Sequence, residues 1–102
     1  MPSRTKDMEP KATEARIWAA GEVAGAETRR AVSEHGGFAS FHEGYAVLQE
    51  EVEELWAEIK ANVANRSRRR IYDEAIQVAA MAIEIAAIAT MDRDKEEVPD
   101  AT

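Results

Sequence analysis

The chain has 102 residues and a mass of 11.3 kDa, with 45% apolar and 32% charged side chains, which leaves room for one small soluble domain and excludes a two-domain enzyme. It has no cysteine, so disulfide frameworks and thiolate zinc sites are excluded and stability has to come from packing. Thirteen Lys and Arg against 20 Asp and Glu give a net charge of −7, which disfavours nucleic acid and anionic membrane surfaces as partners and makes a cation the more natural one.

Strand signals are nearly absent, because Val and Ile never alternate with polar residues and Ala, Glu, Leu, Met and Arg dominate. The chain reads as all-α. Residues 1–12, with Pro2, Pro10 and mixed charges, read as a mobile N-terminal tail, and residues 92–102, with Pro99, as a C-terminal one. A single helical domain is expected over 13–91. Arg4, Lys6 and Lys11 are followed by no apolar run, so no secretory leader is expected and a cytoplasmic setting is.

Helix 1 is predicted to start at the N-cap Thr13 and to run through Ile17, Trp18, Val23 and Val32 to Gly36 and Gly37. Gly21, Gly25 and several alanines weaken it but leave a thin surface that another helix can approach. Helix 2 opens on Ser40-Phe41-His42-Glu43, a capping box in which Ser40 and Glu43 satisfy each other's backbone N–H, and is predicted over 41–63. Its apolar stripe is Phe41, Tyr45, Leu48, Val52, Leu55, Trp56, Ile59 and Val63, which predicts Trp56, and likewise Trp18 on helix 1, in the core. Glu43, Glu50, Glu51, Glu54 and Glu58 occupy the opposite face.

Asn65-Arg66-Ser67 is too short for anything but an antiparallel return, and Ser67 can cap helix 3, predicted to run to Met91. Helices 2 and 3 therefore form an antiparallel hairpin. Helix 3 is apolar around most of its circumference; Asp73, Glu74, Gln77 and Glu84 share the remaining arc, and Glu84 interrupts the apolar run enough to argue against a membrane span. Two further helices hardly cover such a surface. A homo-oligomer follows as an expectation, a dimer or dimer of dimers with a four-helix-bundle type core and helices 3 central.

Glu51 and Glu54 stand at i and i+3 on helix 2, and Glu74 and Gln77 at the same spacing on helix 3. In an antiparallel hairpin the two pairs can face each other and supply three carboxylates and one amide oxygen. That donor set suits Mg²⁺ or Mn²⁺, and helical bundles build metal sites in this way.

The stretch Leu48-Gln49-Glu50-Glu51-Val52-Glu53-Glu54-Leu55-Trp56, a turn, and then Glu74-Ala75-Ile76-Gln77-Val78-Ala79-Ala80-Met81-Ala82 resembles the core of the MazG-like, all-α nucleoside triphosphate pyrophosphohydrolases. That family carries Glu-x-x-Glu on one helix and Glu-x-x-Asp on the next. The resemblance covers residues 38–89, and its motifs are short and acidic. It implies Mg²⁺-dependent attack of water between the α and β phosphates, releasing a nucleoside monophosphate and pyrophosphate. Glu51, Glu54 and Glu74 match metal-ligand positions, and Gln77 stands where the family has an acid. A neutral amide offers an oxygen but removes one unit of charge, and unit charges 4 Å apart interact by about 4 kcal/mol at an effective dielectric near 20.

In the active reading Glu50 takes the proton from the attacking water, Gln77 orients a water or ligand, and Arg66 and Arg68 at the hairpin turn neutralise phosphate charge. The alternative is a catalytically silent helical oligomer, a protein-interaction or nucleotide-sensing module. Under it the acidic stripe is a solvated face, Gln77 makes an inter-helix hydrogen bond, Arg69 and Arg70 pair with Asp73 and Glu74, and Glu84 is a surface or interface carboxylate.

Overall fold

A computed structural model describes residues 11–91. They form α1 (Glu14–His35), α2 (Phe41–Ile59) and α3 (Arg68–Met91), with one 3₁₀ turn, Val63–Asn65, between the last two. No strand occurs among the described residues, and the fold is all-α as the composition indicates. The two expected tails lie outside the described residues, apart from Lys11 and Ala12, which precede α1.

Each helix begins at a side-chain cap. Thr13 Oγ1 accepts the Arg16 N–H at 3.2 Å, Ser40 Oγ accepts that of Glu43 at 3.0 Å, and Ser67 Oγ accepts that of Arg70 at 3.1 Å. The capping box of α2 differs from its simple form: the Glu43 carboxylate takes the N–H of Ala39, not of Ser40. α1 stops at Gly36, whose φ of 76° is open to glycine and whose N–H returns to Val32 O at 2.8 Å. α2 ends at Ile59, four residues before the predicted end at Val63. The reason is local: Asn62 Oδ1 accepts the Asn65 N–H at 3.2 Å and starts a separate 3₁₀ turn.

α3 is the shared spine. Both α1 and α2 pack on it and not on each other. α2 runs antiparallel to it, with Gly44 against Ile85 at one end and Glu58 against Arg70 at the other. α1 approaches through small residues: Ala24 and Thr28 are buried against Ala80, which is 0% exposed, and Thr28 Oγ1 lies 3.1 Å from the Ala80 carbonyl oxygen and 2.9 Å from that of Ala24. Of the small residues foreseen as a thin face only Ala24 is buried in this contact; a Cβ at Gly21 would meet nothing within 4 Å and one at Gly25 only Arg29 of its own helix, so the glycines are not where α1 touches α3. At Gly44 a Cβ would lie 2.9 Å from Phe38 Cδ2 and 3.0 Å from Ile85 Cγ1, so the α2–α3 crossing requires glycine there.

The facing of α2 agrees with its apolar stripe only at Leu48 and Leu55. The side turned to α3 carries Gly44, Leu48, Glu51, Leu55 and Glu58, all buried or half-buried, whereas Phe41, Tyr45, Val52 and Trp56 are exposed. Trp56 is 56% exposed and Trp18 on α1 is 68% exposed, so neither is in the core of the single chain. The physical reason is that one α3 surface receives two helices, and the seam with α2 is set by Gly44 and by the carboxylates rather than by the largest apolar residues. Buried side chains of α3 are Ile76, Ala80, Met81 and Glu84. By length and composition α3 also meets the requirement for crossing a membrane, with a mean hydropathy of 1.5 in its most apolar window; the interruption at Glu84 does not remove that property.

Candidate metal centre

Glu51 and Glu54 are one turn apart on α2, and the antiparallel register brings Glu74, in the second turn of α3, opposite them. One carboxylate oxygen from each lies within 4.8 Å of the other two. Among the described residues no basic side chain is paired with any of the three. The arginine nearest along the seam, Arg70, is engaged one turn away, donating from Nε to Glu58 Oε1 at 3.0 Å and from an η nitrogen to Asn65 O at 3.1 Å.

The electrostatics follow from this crowding. Burial in the seam, and then the charges of Glu54 and Glu74, push the Glu51 carboxyl up to about 7 from its ordinary 4.5. Burial and then Glu54 raise Glu74 in the same direction. Glu51 Oε1 is shielded from solvent and has no hydrogen-bond partner among the described residues. A buried carboxylate oxygen without a donor costs on the order of 1–3 kcal/mol, and a hard divalent cation is one group that satisfies all three carboxylates together.

The other residues named from sequence lie elsewhere. Glu50 is adjacent to Glu51 in sequence but exposed, and it contributes no oxygen to the cluster. Gln77, expected as a fourth ligand, donates from Nε2 to Glu27 Oε2 at 2.9 Å and so ties α3 to α1; it takes the inter-helix role, because one turn beyond Glu74 the α3 surface turns to α1. Arg66 is exposed and donates to Ala61 O at 3.3 Å, and Arg68 is exposed; both line a surface hollow with Val63 and Ile71 that none of the three glutamates reaches. Arg69 pairs with Asp73 at 3.2 Å, as helix spacing suggested, but Arg70 reaches Glu58 instead of Glu74.

Two acids gain a role that the sequence reading missed. Glu27 on α1 accepts from Gln77 and from Arg30, whose guanidinium holds its carboxyl down to about 2. Its signal was the i, i+3 spacing to Arg30. Glu84, expected as a surface or interface carboxylate, is 5% exposed and accepts the Phe38 N–H at 3.0 Å, which anchors the α1–α2 connection to α3. Its signal was an acid set between Ile83 and Ile85 in an apolar run. Set against protein-family models, curated proteins and solved structures, the chain has no match.

Proposed function

We propose that this chain is a divalent-cation-dependent hydrolase of nucleoside triphosphates, of the MazG-like kind, releasing a nucleoside monophosphate and pyrophosphate in the cytoplasm. The observation that carries the reading is the convergence of Glu51, Glu54 and Glu74 across the hairpin, with one Glu51 oxygen left without a donor. In this reading the three carboxylates hold Mg²⁺ or Mn²⁺. The cation, when bound, supplies charge neutralisation to phosphate oxygens and acidifies a water. Glu50, exposed beside the cluster, is the residue available to take a proton from that water. Arg66 and Arg68 act on phosphates that extend past the hairpin turn.

The working unit in this proposal is a homo-oligomer. What supports it is the apolar surface left open: Ile17 and Trp18 on α1, Tyr45 and Trp56 on α2, and Ile83 on α3 are all exposed in the single chain. The test of function is release of pyrophosphate from a panel of nucleoside triphosphates with and without Mg²⁺ or Mn²⁺. Release that requires metal and is abolished by Glu54→Ala supports the assignment; metal-independent release rejects it.

A second reading is favoured by one observation, the engagement of Gln77 with Glu27, which leaves three carboxylates where the resembling family has four. Under it the chain is a silent helical module. Thermal unfolding separates the two, since a ligand that binds only the native state raises the midpoint. A midpoint unmoved by millimolar Mn²⁺ and nucleotide favours the silent module, and a shift without product favours a sensor.

A further inference from the structure

Between α1, the α1–α2 connection and α3 lies a cleft of about 340 Å³, within the size range of small-molecule sites. Phe38, Val47 and Met81 give it apolar walls, Glu84 and Gln77 line it from α3, and Glu27, Arg30, His35 and Glu43 are its other polar residues. Glu84 is more than nine-tenths buried, and its Oε2 accepts one neutral N–H, from Phe38; no donor among the described residues reaches its other oxygen. Gln77 donates to Glu27 and its own carbonyl oxygen accepts from no described group. Two basic residues line the cleft: Arg30, engaged with Glu27 and Glu34, and His35, whose imidazole is exposed at the rim beside Glu34. At Glu84 and Gln77 the cleft therefore offers acceptor oxygens that no described donor occupies, between apolar walls that include an aromatic ring.

Such a cleft suits a flat ligand that presents N–H groups at its edge. It does not suit a hydrated ion, which would gain nothing from Phe38 and Met81. It also disfavours a ligand edge carrying a carbonyl, which would place an acceptor against the Glu84 carboxylate. The cleft adjoins the carboxylate cluster: Val47 and Gln77, which line it, stand one turn from Glu51 and Glu74 on the same helices.

We infer that this cleft is a base subsite, in which Glu84 accepts from the exocyclic amino group of cytosine or adenine and so selects these amino-bearing bases over uracil, whose equivalent edge carries a carbonyl. The inference rests on the nucleotide reading of the carboxylate cluster and adds the class of base to it. Phe38 stacks on the base, Met81 closes its far side, and Gln77 stands between base and phosphates with its carbonyl oxygen open to a sugar hydroxyl.

The test is calorimetric binding of the non-hydrolysable α,β-imido triphosphates of cytidine, adenosine and uridine, each with Mg²⁺, to the full chain and to Glu84→Gln. The cytidine and adenosine analogues are expected to bind at least about tenfold tighter than the uridine analogue, and Glu84→Gln to reduce that ratio to below about threefold, because an amide both donates and accepts. Equal binding of all three to the natural chain overturns the base subsite and leaves the cation and triphosphate reading standing. Binding of none, together with no Mn²⁺ effect on the unfolding midpoint, overturns both. The comparison within the natural chain decides the matter even where the variant does not fold.

Discussion

Gln77 Nε2 donates to Glu27 Oε2 at 2.9 Å, and this bond joins α1 to α3 at the point where a nucleotide-hydrolase motif would carry an acid. The Glu27 carboxylate already receives Arg30 through two nitrogens, so the amide completes a set of three donors around one anion. Gln77→Asp removes the donor, shortens the side chain and places a second negative charge beside Glu27. Chemical denaturation is expected to show a loss of about 1.5–3 kcal/mol, the range for a hydrogen bond to a charged group. No gain in pyrophosphate release is expected, since the side chain at 77 is directed to α1; a large gain would show that position 77 reaches the cluster after all.

The carboxylate cluster predicts a pH-dependent response to metal. Glu51 titrates near 7 in the fold against an ordinary 4.5, so between those values the native state holds more protons than the unfolded chain. Stability from this group therefore falls as pH rises from 4.5 to 7 and stays low above. Glu27, depressed to about 2, acts with the opposite sign and only below 4.5. A divalent cation competes with the Glu51 proton, so the rise in midpoint produced by Mn²⁺ should be larger at pH 8 than at pH 5.5. An equal or larger rise at pH 5.5 would place the cation elsewhere.

Glu51→Gln separates stability from binding. Without metal at pH 8 the variant should unfold a few degrees higher than the natural chain, because the cost of burying the Glu51 charge, and then the repulsion from Glu54 and Glu74, is relieved. With Mn²⁺ its midpoint should not move. A destabilised variant would mean that the ionised Glu51 has a partner in solution.

Gly44 is a steric position. Although alanine is the better helix former by about 1 kcal/mol, a Cβ would press on Phe38 Cδ2 and Ile85 Cγ1 at 2.9 and 3.0 Å, and both belong to side chains held in the α2–α3 seam. Gly44→Ala is expected to destabilise by about 1–3 kcal/mol, as overpacking does, and to loosen Phe38. Neutral or raised stability in a urea titration would show that the seam yields.

Sedimentation tests the open apolar faces. The chain should sediment as a dimer or larger, and Trp56→Glu or Trp18→Glu should shift it toward monomer, since both indoles are exposed on single helices and carry no burden in the monomer fold. Monomeric behaviour of the natural chain at tens of micromolar removes the proposed assembly.

The helices and their caps were legible because they are written locally: Thr13, Ser40, Gly36 and Ser67 act within four residues of where they stand. The meeting of Glu51, Glu54 and Glu74 was legible because a short antiparallel turn fixes register. The orientation of α2 was not. A periodic pattern marks which residues are apolar, and Trp56 and Tyr45 belong to that stripe, but it does not say whether the stripe meets its own chain or is left open. Glu84 and Gln77 escaped for a related reason. Their partners, Phe38 N–H and Glu27, lie 46 and 50 residues away, beyond any helical spacing.

Because α3 carries the contacts to both flanking helices, it also fixes a length. Ten residues separate Glu74 from Glu84, about 15 Å at a rise of about 1.5 Å per residue. A straight helix does not adjust that interval, so it works as a ruler between the carboxylate cluster and the buried acid of the cleft. If the two sites take the phosphates and base proposed for them, a free nucleoside or pyrophosphate alone would engage one end of the ruler. Only a ligand with both parts in covalent sequence would span its two marks, and molecular length itself would then filter what the chain holds.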